Sequence, residues 1–212
     1  MYLFAVMRLA AGDVLTLING RDGAWDAVVV EGSKRGGVLR VQAQTAPQIG
    51  PPDLWLMCAP IKKVRMDFVV EKAVELGVAR ILPVATDHTN EKARTDKLQA
   101  HAIEAAEQCG GTYVPPVAEV ARLGTVLDGW DDRRILFCDE SLLGAAANLS
   151  ALTPGPWAVL VGPEGGFSPA ERERLHAMPQ ARAISLGPRI LRADTAAVAA
   201  LTLWQATLGD WR

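Results

Sequence analysis

Two stretches near the C-terminal end of this 212-residue chain hold the residue types that chemistry needs. The first is Val161-Gly162-Pro163-Glu164-Gly165-Gly166-Phe167-Ser168-Pro169-Ala170-Glu171, where three glycines and a carboxylate follow an apolar strand. Glycines there let the backbone approach a ligand closely and present its N–H groups. Ser168, Pro169 and Glu171 have the spacing of an N-cap, a first helical residue and the return partner of a capping box. The pattern is strand, glycine loop, helix. It fits neither the GxGxxG dinucleotide fingerprint nor the GxxxxGK(S/T) phosphate loop, and the lack of a following lysine disfavours a nucleoside triphosphate. The plain alternative is a tight β–α turn that holds no ligand.

The second stretch is Ser185-Leu186-Gly187-Pro188-Arg189-Ile190-Leu191-Arg192-Ala193-Asp194-Thr195-Ala196. It is again a strand end and a Gly-Pro loop, now with two arginines before a helix capped by Asp194 or Thr195. Positive charge beside a helix N-terminus is locally unfavourable. A functional demand on Arg189 and Arg192 is therefore a more economical reading than ion pairing alone. The helix that follows is small and apolar on almost every face, so it is buried or packs against a partner subunit.

The elements that carry these loops alternate. Residues 54–60, 80–86, 134–140, 157–162 and 183–187 read as strands; 65–76, 94–109 and 194–208 read as helices, with Gly77 as a stop. Such alternation predicts an α/β fold with a mostly parallel sheet and helices on both faces, whose ligands sit at the carboxyl ends of the strands. Residues 1–46 differ. Short apolar stretches separated by Asn19-Gly20, Asp22-Gly23 and Lys34-Arg35-Gly36-Gly37 predict a small β-barrel or curled sheet. The Pro- and Gly-rich run 47–53 reads as a linker, giving domains over 1–46 and 53–212. The N-terminal segment is short for a complete barrel, so a first strand is expected to be missing.

Composition narrows the function. Half the residues are apolar and 22% are charged, enough for a sizeable packed core. No apolar run is long enough to span a bilayer, and the N-terminus lacks the basic start of a signal peptide, so a cytoplasmic protein without membrane contact is expected. Cys58, Cys109 and Cys138 are scattered, as are His88, His101 and His176; neither a disulfide framework nor a metal site is indicated. Net charge is −2, so any nucleic-acid contact must come from local patches. Lys34-Arg35 in a turn and Lys62, Lys63 and Arg65 after the first α/β strand are the candidates, each with the alternative of a solvated charge cluster.

GPEGGFS followed by SLGPRILRADTA resembles the ribosomal RNA small-subunit methyltransferase E family, which makes N3-methyluridine in 16S rRNA. Glu71-Lys72-Ala73-Val74-Glu75-Leu76-Gly77-Val78 with Pro83, and Ile103-Glu104-Ala105-Ala106-Glu107-Gln108-Cys109-Gly110, resemble the same family's preceding elements. The match runs in order over 54–205, and residues 1–46 are more loosely similar to its PUA-like RNA-binding barrel. The resemblance implies a SPOUT-type domain whose C-terminal segment threads into a trefoil knot, an exception to the rule that chains avoid knots. It implies S-adenosylmethionine as cofactor, a homodimer, and the small ribosomal subunit with its 16S rRNA as partner. Carried over by motif, the cofactor-binding positions are Gly162, Glu164, Gly165 and Gly166 in the first loop and Leu186, Gly187, Ile190, Leu191 and Arg192 in the second.

For methyl transfer to a uracil nitrogen, Arg192 is the candidate that stabilises negative charge on the base, with Arg189 as the alternative or as a phosphate contact. Glu164 is the obvious carboxylate, as a base or as a brace for its loop. Some family features are replaced. Gly111-Thr112-Tyr113 stands where an arginine usually follows the glutamine helix, and His88-Thr89-Asn90 where an Arg-Ser pair is common. Both changes remove positive charge that could face RNA. The other readings are a SPOUT enzyme with a different rRNA or tRNA target, and a non-catalytic RNA-binding or ribosome-assembly protein on the same fold.

Overall fold

The computed structural model describes residues 2–33 and 35–212, which divide into two units. The smaller comprises the chain up to Gly50 together with Gly110–Tyr113. After a short helix α1 (Tyr2–Ala5) come β1 (Val14–Ile18), β2 (Ala24–Ser33) and β3 (Gly36–Ala46), an antiparallel meander in the order β1-β2-β3. The Asn-Gly and Asp-Gly pairs do make the first turn: the Asn19 side-chain oxygen accepts the Arg21 and Asp22 N–H groups at 3.0 and 2.8 Å. Ala24, Ala27 and Val29 on β2 are its buried apolar residues. The sheet is open, because three strands are too few to close on themselves.

The larger unit, Pro51–Cys109 with Val114–Arg212, is α/β. Its strands are β4 (Leu54–Cys58), β5 (Arg80–Ala85), β6 (Ala121–Arg122), β7 (Arg134–Cys138), β8 (Trp157–Val161) and β9 (Ala181–Ile184), all parallel, in the order β6-β5-β4-β8-β7-β9. β8 lies at the middle, and all five of its residues are buried, which is why it reads as an unbroken apolar run. Burying one such Val or Leu is worth about 1.5–3 kcal/mol relative to exposure. β9 was expected two residues later. It is an edge strand paired only with β7, so it tolerates the exposed Arg182, and it ends where the Ser185 hydroxyl oxygen accepts the Gly187 N–H at 3.2 Å.

The helices are α2 (Lys63–Glu75), α3 (Thr95–Cys109), α4 (Leu123–Asp128), α5 (Pro169–Ala177) and α6 (Ala193–Leu208). Leu123 and Leu127 of α4 and Leu175 of α5 join Val84, Phe137, Ala158 and Leu160 in a core on one face of the sheet. α2 packs against α3 and α6, and α6 lies on β8. Gly77 ends α2 at φ +70°, and Gln205 of α6, fully buried, seals that end by donating to the Leu76 carbonyl at 2.5 Å. α4 and the two-residue β6 are too short for periodicity to reveal.

At the starts of the strands, Arg133 is held in two bonds by Asp53, at 2.8 and 3.1 Å. Its guanidinium lies 3.8 Å from the ring centre of Trp55, whose ring also receives Arg80 at 4.9 Å. Trp130 meets Trp55 edge-on.

Candidate functional site at the carboxyl ends of the strands

The loops after β7, β8 and β9 adjoin one another because these strands are neighbours in the sheet. The loop after β7 is tied to the loop after β9 by the Ala147 N–H donating to the Ser185 carbonyl at 2.9 Å. Between them lies a first hollow of about 40 Å³, walled by Leu186, Gly187, Arg189, Ile190 and Leu191 on one side and by Asp139, Glu140, Leu142 and Leu143 on the other. Its wall is apolar with two acids and one arginine, and its volume is far below the about 300–1,000 Å³ of small-molecule pockets, so a ligand must part the two loops to enter. Cys138 borders it but is no nucleophile, because burial pushes its thiol up to about 12.

A second, larger hollow lies beside the first glycine loop. Glu164, Gly165, Arg192 and Asp194 line it together with Ile61, Lys62 and Arg65 after β4 and His88, Asn90 and Glu91 after β5. Glu164 and Arg192 therefore face the same space although 28 positions apart in sequence. Both are exposed, and neither side chain makes a hydrogen bond or ion pair with another described residue. Arg65 is paired with Asp194, near the start of α6, and the Asp194 carboxylate also accepts the Thr195 N–H at 3.0 Å. Asp194 is thus no cap: Arg192 occupies the N-cap position of α6 without a side-chain capping bond.

The capping box at α5 is present as expected, with Ser168 and Glu171 bonded reciprocally at 3.2 and 2.9 Å. The protein itself crowds the glycines before it. A Cβ on Gly162 would stand 3.1 Å from the Phe167 ring, and one on Gly165 would stand 3.1 Å from His88 Cβ. One on Gly166, already at φ +67°, would collide with the Glu140 carboxylate. Glu140 is the brace of this loop: its Oε1 accepts the Phe167 N–H at 3.3 Å and the Arg172 guanidinium at 2.5 Å. Glu164 has no such part.

Asp139, beneath the first hollow, is buried, receives hydrogen bonds from Ser141 O–H and N–H and His176 Nε2 at 3.2 Å, and is ion-paired with Arg172 at 3.3 Å. Burial opposes its ionisation, but the hydrogen bonds from Ser141 and His176 and the charge of Arg172 outweigh it and hold its carboxyl below the usual range.

The expected site residues thus divide. Leu186, Gly187, Ile190, Leu191 and Arg189 surround the first hollow; Glu164, Gly165, Arg192, Lys62 and Arg65 surround the second; Gly162 and Gly166 are packing positions. Lys63 is engaged by Asp67 at 2.6 Å and lines neither. Arg35 is exposed in the β2–β3 turn, and Lys34 lies outside the described residues. Sequence reasoning missed Asp139, Glu140 and His88. The signal for the first two was an acidic pair at the carboxyl end of an apolar strand, RILFCDE. Among the described residues no three His, Cys, Asp or Glu side chains gather as a metal site.

Residues 50–205 match a family model described as an RNA methyltransferase domain, and residues 2–42 match an RNA methyltransferase PUA domain. The ribosomal RNA small subunit methyltransferase E of Rickettsia conorii is 32% identical over 209 residues, covering 94% of this chain and 83% of that protein. A methyltransferase of Legionella pneumophila, solved with its cofactor SAM bound, superposes with a TM-score of 0.88 at 30% identity, over 99% of this chain and 89% of that one. The ribosomal RNA small subunit methyltransferase E of Neisseria gonorrhoeae, bound to S-adenosyl methionine, gives the same TM-score at 27% identity and the same coverage.

Proposed function

The chain belongs to the ribosomal RNA small subunit methyltransferase E family of RNA methyltransferases, and from that premise we propose that it methylates N3 of a uridine in 16S rRNA using S-adenosylmethionine. The observation that carries this reading is the pair of hollows at the strand ends, one apolar and acid-edged, the other lined by the cations Lys62, Arg65 and Arg192 together with the carboxylates Glu91, Glu164 and Asp194. The first suits S-adenosylmethionine: Leu186, Ile190 and Leu191 offer an apolar wall to a nucleoside, and Glu140 offers negative charge to a ligand with a cationic sulfonium. Gly187, at φ +124° with open space where a side chain would stand, lets that wall come close. The second hollow would receive the uridine and its flanking phosphates, with Lys62 and Arg65 as phosphate contacts.

Bound S-adenosylmethionine supplies a methyl group already activated by its sulfonium. What this chain must do is align the base and favour the deprotonated nitrogen. Holding both reactants in line is worth up to about 7–11 kcal/mol of the barrier. Glu164, exposed in the second hollow, accepts the N3 proton. Arg192, facing it there, stabilises the negative charge that then spreads over the uracil oxygens.

The working unit is a homodimer in this proposal. Ile190 and Leu143, at the rim of the first hollow, are 70% and 60% exposed, and apolar side chains so placed gain from a covering surface. The trefoil threading of the C-terminal segment belongs to the same reading, supported by β8 lying between β4 and β7 with β9 beyond. So does a place among the ribosomes of the cytoplasm; among the described residues no helix is long and apolar enough to cross a membrane. The test is calorimetry with S-adenosylmethionine, followed by nucleoside mass spectrometry of small subunits from a deletion strain. No binding heat would favour a non-catalytic RNA-binding protein; a missing methyl elsewhere than uridine N3 would favour a relative with another target.

A further inference from the structure

We infer that His88 and Glu140 are positioning residues that clasp the Gly165–Gly166 turn from opposite sides and so aim Glu164 into the second hollow; this rests on the function proposed above. The turn joins the two hollows, since Glu140 walls the first and Gly165 the second. His88 comes from the loop after β5. Its Nδ1 lies 2.9 Å from the Gly165 carbonyl oxygen, donating to it, and its Cβ would crowd a side chain at 165 at 3.1 Å. Glu140 comes from the loop after β7. Its Oε1 takes the Phe167 N–H, and its carboxylate fills the place of a side chain at 166.

Glu164 itself has no tether, so its direction is set by the backbone of the two residues that follow it. That backbone is held by contact on both sides. The double glycine is thereby explained as a groove cut for two side chains. The first hollow also gains a mechanical link to the second: whatever presses on Glu140 presses on the turn that carries Glu164.

Three variants test this, Glu140→Ala, Glu140→Gln and His88→Ala, each measured for S-adenosylmethionine affinity by calorimetry and for single-turnover methylation of undermethylated small subunits at saturating cofactor and RNA. Glu140→Ala is expected to slow the single-turnover rate at saturating cofactor by about tenfold or more, as loss of alignment does, beyond whatever it costs in cofactor affinity as a residue that also edges the first hollow. Glu140→Gln, whose amide oxygen still accepts the Phe167 N–H, recovers most of the rate. His88→Ala, at an exposed position where folding is not at stake, slows the same step with affinity unchanged. A native rate in both alanine variants overturns the inference, as does a glutamine variant as slow as the alanine, which would assign the effect to charge. Should Glu140→Ala fail to fold, a native rate in His88→Ala is enough to overturn it. If the unaltered chain binds no S-adenosylmethionine, it is the proposed function that falls, and this inference with it.

Discussion

Arg192 makes activity and stability separable. Its side chain is exposed, holds no other described residue, and stands at the N-cap of α6 without a capping bond. A cation at that end opposes the helix dipole, so removing it returns about 0.3–1 kcal/mol. For a chain of this size each kcal/mol moves Tm by about 2–4 °C, so Arg192→Ala should raise Tm slightly or leave it unchanged. Arg192→Ser should do more. The backbone there, at φ −66° and ψ 153°, is already that of a capping residue, and a serine cap adds about 1 kcal/mol. Both variants lose the group that faces developing charge on the base, a loss of about 2.7–4 kcal/mol, or 10²–10³ in rate, for a preorganised donor of this kind. The assay is single-turnover methylation with labelled S-adenosylmethionine beside a thermal melt. A near-native rate with the fold intact would refute the role of Arg192. A Tm lowered by several degrees would refute the claim that it bears no structural load.

Gln205→Leu keeps the volume at the α2–α6 contact but abandons the Leu76 carbonyl, so stability should fall by about 1–3 kcal/mol, read as a lower urea midpoint at unchanged m-value. Because the folded-state pKa of Asp139 is lowered, its stabilisation is complete above the unfolded value of about 3.9 and is lost as pH falls through the folded value. Unfolding midpoints should therefore be flat from pH 7 to 5 and decline below about 4, and Asp139→Asn should flatten that decline. Lys62→Ala should reduce the slope of log affinity for RNA against log salt by about 0.7–0.9, one phosphate contact. Lys63→Ala, at a residue already engaged by Asp67, should leave that slope unchanged.

The loops at 162–168 and 185–192 were legible because strand, glycine and helix cap are local signals, and Ser168-Pro169-Glu171 fixes the start of α5 within the sequence itself. The long central strands and α2, α3 and α6 were legible from their apolar pattern. Glu140 and His88 were not, since their partners at Gly166 and Gly165 lie across the sheet, one strand away from β7 and two from β5, and no short window contains them. The same holds for the division of the expected cofactor positions between two hollows: only the insertion of β8 between β4 and β7 decides which loop faces which space. The cap of α6 was misread because Asp194 answers Arg65, 129 positions away, before it answers its own helix.

The Trp55 sandwich has a practical consequence for optical work. Trp55, Trp130 and Trp157 gather near the strand starts, Trp204 is buried in α6, Trp211 is exposed near the C-terminus and adds a constant background, and no tryptophan lines either hollow. Ultraviolet-excited emission from the larger unit should thus dim or shift when its interior opens to water and stay silent when a small molecule docks. Melting curves recorded this way can be compared across cofactor concentrations without correction for a binding signal, and occupancy needs a labelled ligand or heat.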